Sequence, residues 1–440
     1  MNVYDVDVVR MELRDTIRKY MNHHKLNQSV TAKRIAIGRT GFTKALSGTQ
    51  LFTIETLEKL TEIFGMPPGD LYHLFYGECI EQRMKTSSTV FIMDKLEKFL
   101  RRCLEVGKFD VAYQLLELLL EHDSKKRELI YLVAESIFHA AEEKYGLLPT
   151  YKEPEYEQCL FLYTYYSQNE TDFQSEKLAI CYFRIYYMSR FDVTTSYERL
   201  VMLLSVIEKL PINEKIKAYD RVVTYFYFAS EWNKTVAYAQ ILEKLTDGVD
   251  EYLYGHCLMI KSFAKKELGE YEEALQLTSI YRQLQGFEEF GYGNHLLIQI
   301  ESGQLTYIDS YLEWLQKQDQ IESGLSIVLK KLLEAKQFTK AKKVMGDFSG
   351  KFKLFHDNIL IDKYCMKLQF SLSLLHIHLE EYETGIDHLL QATMKAYRMS
   401  LFQEIGAMIY TYEQIRQHAT LKQQLTYLEI LQSWKGGQHI

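Results

Sequence analysis

The chain is predicted to be all-α, with a small N-terminal domain of five short helices over residues 1–80 and a long array of helix pairs over residues 96–435. Three observations predict this. Proline is nearly absent, five in 440 residues, so little interrupts helical hydrogen bonding. Apolar residues recur at i, i+3, i+4 and i+7 through most of the chain, the spacing of one helix face. The short turns that break this pattern repeatedly carry an aromatic residue. No segment alternates convincingly as a strand would, and the aromatic run Tyr225 to Phe228 lies inside a helix-period stretch.

Composition bounds the rest. At 440 residues the chain exceeds the roughly 250–300 at which single cores stop growing, so two domains, or one domain plus a solenoid, are expected. A content of 47% hydrophobic and 25% charged residues is that of a globular protein. No apolar run approaches the roughly 18 residues that would span a bilayer. The opening MNVYDVDVVRMELRD lacks the basic-then-apolar order of a signal peptide, so a cytoplasmic protein without a membrane partner is expected. Six cysteines are scattered without CxxC spacing, which predicts buried free thiols rather than zinc ligands or disulfides. No cofactor is expected. The net charge of −7 is uneven: Arg14 to Lys44 holds eight basic residues (Arg14, Arg18, Lys19, Lys25, Lys33, Arg34, Arg39, Lys44) and one acid, Asp15. Local charge of this kind sets attraction to phosphates.

The N-terminal elements follow from apolar spacing and caps. In Leu26 to Leu57, LNQSVTAKRIAIGRTGFTKALSGTQLFTIETL, Ala32 and Ile35 face inward from a second helix, and Ile37 plugs the turn after it. Phe42 and Leu46 anchor a third helix that Gly48 ends. Thr53 is placed to cap a fourth helix, with Ile54, Leu57, Leu60 and Phe64 on one face. Pro67 to Asp70 turns the chain into a fifth helix, DLYHLF. The polar run Lys85 to Thr89 then predicts a linker or the start of a connecting helix at 81–95, and the tail GGQHI is expected to fray.

Five short helices in this order resemble the Xre or Cro/C1-type helix-turn-helix fold, from about Leu13 to Phe75. The resemblance implies DNA binding, with the recognition helix at Arg39 to Ser47 and Arg39, Thr40, Thr43 and Lys44 on the side away from Phe42 and Leu46. Arginine pairs bidentately with guanine, and threonine contacts base edges or phosphates. Gln28 matches the family position that grips a backbone phosphate, while Lys33 and Arg34 would add attraction without reading sequence. The chain departs from the family at Ala36, where glycine is usual, and at Gly41 within the recognition helix, which costs about 1 kcal/mol relative to alanine.

In the array the turns Gly107-Lys-Phe109, Arg190-Phe191-Asp192, Glu231-Trp232-Asn233, Gly269-Glu-Tyr271, Lys336-Gln-Phe338 and Glu381-Tyr382-Glu383 share one pattern. Successive aromatics lie 41 residues apart from Phe191 to Trp232, 39 to Tyr271, 67 to Phe338 with a weak copy near Leu305, and 44 to Tyr382. AKKELGEYEEAL, Ala264 to Leu275, resembles the tetratricopeptide signature, in which a small residue three places after the aromatic lets the second helix pack tightly on the first. The array is therefore expected to be a tetratricopeptide-like α-superhelix.

A reader of the Xre type followed by about 360 residues of such repeats resembles the peptide-sensing regulators of low-GC Gram-positive bacteria and their mobile elements, the Rap, Rgg, NprR, PlcR and PrgX family, whose plan the phage arbitrium receptors share. In that family a secreted precursor is trimmed, reimported as a short peptide, and bound on the concave face of the array, shifting the DNA binding of a dimer. The resemblance thus implies three partners: operator DNA with an inverted repeat, a short signalling peptide, and a second copy of the chain. A groove of first-helix faces suits an extended peptide, whose backbone polar side chains can satisfy. The tetratricopeptide register puts Thr224, Tyr227 and Phe228 on one inner face, then His256, Met259, Phe263 and Lys266. On Phe191 it gives Phe183, Tyr186 and Tyr187 with Arg184 at the edge. Asn294, Gln299 and Lys367 are the remaining polar candidates.

Catalysis is not expected, since no Walker loop, HExxH, GxSxG or paired-carboxylate pattern occurs. His376 and His378 are two residues apart on a helix and point to different faces, a poor metal pair. The expected function is a transcription regulator gated by a peptide. The alternative is a Rap-like scaffold that sequesters a response regulator through the array, although Rap proteins carry a helical bundle in place of the reader.

Overall fold

A computed structural model describes residues 6–83, 88–122, 127–146, 153–190, 192 and 194–436. Among the described residues the chain is all-α apart from one short hairpin, and it divides into two compact units, Met1–Met188 and Ser189–Ile440.

The first unit opens with α1 (Val6–His23), α2 (Gln28–Arg34), α3 (Arg39–Ser47) and α4 (Ile54–Ile63). Leu13, Ile17 and Met21 recur along α1 at helical spacing and are all buried. Asn27 caps α2 by accepting from the Val30 amide at 2.9 Å, and Thr53 caps α4 by accepting from the Thr56 amide at 3.2 Å. Ala32, Ile35, Phe42, Leu46, Ile54, Leu57, Leu60 and Phe64 are buried, as their spacing requires, while Ile37 is half-buried. Gly48 ends α3 at φ 84°.

Two expectations fail here. The fifth helix is instead two 3₁₀ turns, Tyr72–Leu74 and Tyr76–Cys79. Its amides bond three residues back, Leu74 to Leu71 and Phe75 to Tyr72, because the segment after Gly69 is too short to repay α-helix nucleation. Where a linker or the start of a connecting helix was expected at 81–95, two antiparallel strands come first, β1 (Ile80–Arg83) and β2 (Ser88–Phe91), with Ile80 opposite Phe91, and a helix begins at Met93; residues 84–87 of the polar run lie outside the described residues. Strands of four residues are too short for a periodicity search, but the pair Ile80 and Phe91 is buried. The unit continues through α5 (Met93–Glu105), α6 (Phe109–His122), α7 (Arg127–Tyr145), α8 (Pro154–Asn169) and α9 (Glu176–Ser189). Tyr72 and Phe75 meet Phe99 of α5 edge to face, at 5.4 and 4.8 Å, so the N-terminal helices are packed onto the helices that follow.

The second unit contains α10 (Ser196–Val206), α11 (Ile212–Phe228), α12 (Trp232–Thr246), α13 (Glu251–Glu267), α14 (Tyr271–Tyr281), α15 (Glu288–Glu301), α16 (Ile308–Leu315), α17 (Glu322–Glu334), α18 (Phe338–Asp347), α19 (Ile359–His378), α20 (Tyr382–Arg398), α21 (Phe402–Ile415) and α22 (Leu421–Gly436). From α11 to α19 first helices pack on their successors and on the next first helix, which is repeat stacking.

The aromatic turns have one construction. Phe109, Trp232, Tyr271, Phe338 and Tyr382 each begin the second helix of a pair, and the residue two places earlier is left-handed: Gly107 (φ 72°), Ser230 (60°), Gly269 (80°), Lys336 (57°) and Glu380 (60°). This is the left-handed residue that commonly ends a helix. Three places after the aromatic stands a small buried residue, Ala112, Thr235, Ala274, Ala341 or Gly385. A Cβ on Gly385 would lie 2.9 Å from Ile377 Cγ1 and 3.2 Å from the Ser373 carbonyl, so the helix pair is in backbone contact there. The turn at Phe191 falls outside the described residues, as does the tail 437–440.

Candidate functional site

Two features stand out, one in each unit. In the first, α2 and α3 meet through residues 35–38, with Ala36 left-handed at φ 56°. Gln28, Lys33, Arg34, Arg39, Thr40, Thr43 and Lys44 are all exposed, and Phe42, Ala45 and Leu46 turn the opposite side of α3 inward. Thr43 Oγ1 donates to Gln28 Oε1 at 3.1 Å, tying the start of α2 to the exposed face of α3. The basic cluster is smaller than its sequence count. Arg14 is buried, with Nη1 2.7 Å from Glu78 Oε1 and Nε donating to the Ala45 carbonyl at 2.9 Å. Arg18 is committed to Asp15 and to the Leu46 carbonyl, at 2.6 and 2.7 Å. Lys19, Lys25, Lys33, Arg34, Arg39 and Lys44 remain exposed.

In the second unit a cavity of about 600 Å³ is walled mainly by the first helix of each pair, α11, α13, α15, α17 and α19, with Trp232 of α12, α16 and α21 completing it. Each contributes from positions three, four or seven apart, which is why a helix-period stripe becomes a wall. The wall closes because α11 meets α19: Tyr227 and Tyr364 place their hydroxyls 3.3 Å apart, and the Lys363 ammonium donates to the Phe228 carbonyl and to Ser230 Oγ.

Thr224, Tyr227, Phe228, His256, Met259, Lys266, Asn294 and Lys367 line this cavity, with Phe263. Gln299 does not; it lies five residues beyond Asn294 on α15, roughly 140° around the helix at 3.6 residues per turn. Arg184 and Tyr187 lie in the other unit, buried. Arg184 pairs with Glu135, Nε to Oε1 at 3.2 Å, and lies over the Phe138 ring at 4.5 Å. An arginine in an aromatic-rich helix pair is as well placed for a core ion pair as for a groove, and sequence spacing does not separate the two. The register missed Trp314, Glu301, Lys363, Tyr364 and Glu404 on the wall. Lys363 was the most accessible of these, standing one turn before Lys367.

The charges on the wall are arranged rather than scattered. Burial alone would push the Lys266 pKa down, but Glu301 and Glu267, 2.5 and 2.9 Å away, hold it above its ordinary value. His256 Nδ1 lies 3.1 Å from Asp220 Oδ1. The Asn294 amide donates one N–H to Tyr281 Oη at 2.9 Å. Burial raises the Tyr227 hydroxyl pKa well above normal, keeping it a neutral donor. Lys363 is pushed down to about 7, first by burial and then by Lys367. All six cysteines are buried free thiols. Among the described residues no group of three His, Cys, Asp or Glu side chains could hold a metal ion, and no described helix is long and apolar enough to cross a membrane.

The fold and these features define an all-α protein whose second unit lines a cavity with stacked helix pairs and whose first unit carries an exposed polar helix. No protein-family model matches the chain, and no curated protein matches its sequence. Among solved structures it is similar to NprR in complex with its cognate peptide NprX, at 17% identity over 71% of this chain and 89% of that one, with a TM-score of 0.42. It is also similar to a Rap protein complexed with Competence and Sporulation Factor, at 13% identity over 75% of this chain and 98% of that one, with a TM-score of 0.40.

Proposed function

We propose that the chain is a DNA-binding transcription regulator whose operator affinity is set by a short linear peptide held in the cavity of the second unit. The cavity carries this reading. Its volume of about 600 Å³ falls within the roughly 300–1,000 Å³ of ligand sites, and such sites combine apolar walls with a few placed polar groups. Tyr227, Phe263, Trp314 and Phe370 offer apolar surface, and Thr224, Lys367 and Glu404 offer donors and acceptors between them. Residues 1–80 supply the reader in this proposal, with α3 in the major groove and Gln28, Lys33 and Arg34 toward the phosphates. The exposed polar face of α3 favours this over a scaffold that only sequesters another regulator.

The test is a selection of duplexes from a random pool by the full chain, followed by gel shifts. The double variant Arg39→Ala with Lys44→Ala should lose the specific shift while keeping its circular dichroism. Unchanged operator affinity in that variant overturns the assignment of α3. Calorimetry of a hexapeptide, itself selected from a random peptide pool by binding to the full chain, should then differ with and without operator by about 1–3 kcal/mol, the usual size of coupling between two sites. Equal affinities overturn the gating.

A further inference from the structure

Two kinds of lysine share the cavity. Lys266 is buried against Glu267 and Glu301, so its charge is met within the protein. Lys363 and Lys367 differ. They stand four residues apart on α19 and both line the cavity, as i and i+4 positions share a helix face. The Lys363 ammonium is held by uncharged acceptors, the Phe228 carbonyl and Ser230 Oγ, and lies 5.1 Å from the centre of the Phe228 ring. Among the described residues half-buried Lys367 has no carboxylate within ion-pair distance, and Glu267 of α13 acts on it only at longer range. Glu404 of α21 and Glu267 of α13 face Lys363 only at longer range. Over the whole wall Lys266, Lys330, Lys363 and Lys367 oppose Glu267, Glu301 and Glu404, which leaves one cation in excess.

Two ammonium groups one turn apart on a helix face repel each other, and burying the charge of Lys363 without a close counter-ion is costly. An anionic group between them removes both penalties. Resting on the peptide reading above, we infer that the ligand bears a carboxylate and that Lys363 and Lys367 form its subsite. The group is either the peptide's C-terminal carboxylate or an Asp or Glu side chain, which have the same chemistry. The depressed basicity of Lys363 agrees with this, because an arriving carboxylate would restore its proton.

The full chain is tested by affinity selection, read by mass spectrometry, from three synthetic hexapeptide pools. One has free C-terminal carboxylates and no Asp or Glu, one has C-terminal amides and no Asp or Glu, and one has C-terminal amides with a single Asp at varied position. A carboxylate-bearing pool should be retained about tenfold or more over the neutral pool, the effect of one charge-assisted contact. The acidic pool that is retained identifies the source of the carboxylate. Lys367→Gln, which removes an ammonium without a protein partner, should keep the fold and lose the preference. Equal retention of the neutral pool overturns the subsite and leaves the peptide reading standing, as does a preference unchanged in Lys367→Gln. Retention of no pool overturns the peptide reading itself.

Discussion

Arg14 and Glu78 form a buried ion pair, 2.7 Å between Nη1 and Oε1, that ties α1 to the turn ahead of the hairpin. The second carboxylate oxygen accepts from the Phe52 amide at 2.6 Å, so one carboxylate organises three segments. Removing one partner from such a pair leaves the other charged and enclosed. Glu78→Gln should therefore cost about 3–5 kcal/mol in urea unfolding. Arg14→Met combined with Glu78→Leu should recover much of that loss, and a double variant as unstable as the single one would contradict the account.

The repeat turns make an opposite pair of predictions. Lys336 and Glu380 are exposed and left-handed, a conformation that costs an ordinary residue about 1–2 kcal/mol. Lys336→Gly and Glu380→Gly should each raise the melting temperature. Gly385→Ala should lower it, since the added Cβ meets Ile377 and the Ser373 carbonyl.

Gly41 lies inside α3 with no heavy atom within 4 Å of where a Cβ would stand. Gly41→Ala should stabilise the first unit by about 1 kcal/mol through helix propensity alone. A loss of stability on chemical denaturation would mean that the space beside Gly41 is occupied.

Lys363 couples folding to pH in a definite direction. Its pKa is about 7 in the folded chain and about 10.4 when unfolded, so between these values the unfolded chain binds more protons. Stability then rises with pH across that window, at up to about 1.4 kcal/mol per unit. Lys363→Met removes the effect. The stability of Lys363→Met relative to the parent should be greatest at pH values near or below about 7 and shrink as pH rises toward about 10. A difference that does not change with pH would show that Lys363 keeps its ordinary basicity.

If the reader acts as proposed, two copies related by a two-fold axis present two recognition helices, and the selected operator should be an inverted repeat. Light scattering should give a dimer on DNA. A monomer both free and DNA-bound at micromolar concentration would exclude that arrangement.

Much of the fold was legible because it is local. The buried faces of α2, α3 and α4, the Asn27 and Thr53 caps, and the small residue three places after each aromatic depend on neighbours three or four positions away, which the sequence displays directly. What failed was shorter than a helical period or longer than a repeat. The hairpin at Ile80 and Phe91 and the 3₁₀ turns at Tyr72 and Tyr76 fall in the first class. Periodicity also shows that a residue faces inward but not what it meets: the sequence places Arg14 among the clustered basic residues, and only the fold brings Glu78 beside it.

The candidate site divides the same way. The repeat register was enough to name Tyr227, His256 and Lys266 as inner-face residues, because a residue's place on its own helix is a sequence property. That these residues enclose one cavity was decided by tertiary structure alone. It requires Phe228 and Lys363, 135 residues apart, to meet, and that meeting is the sum of the small rotations between successive helix pairs. No local pattern records such a sum, since each rotation is set by the packing of side chains on two different helices.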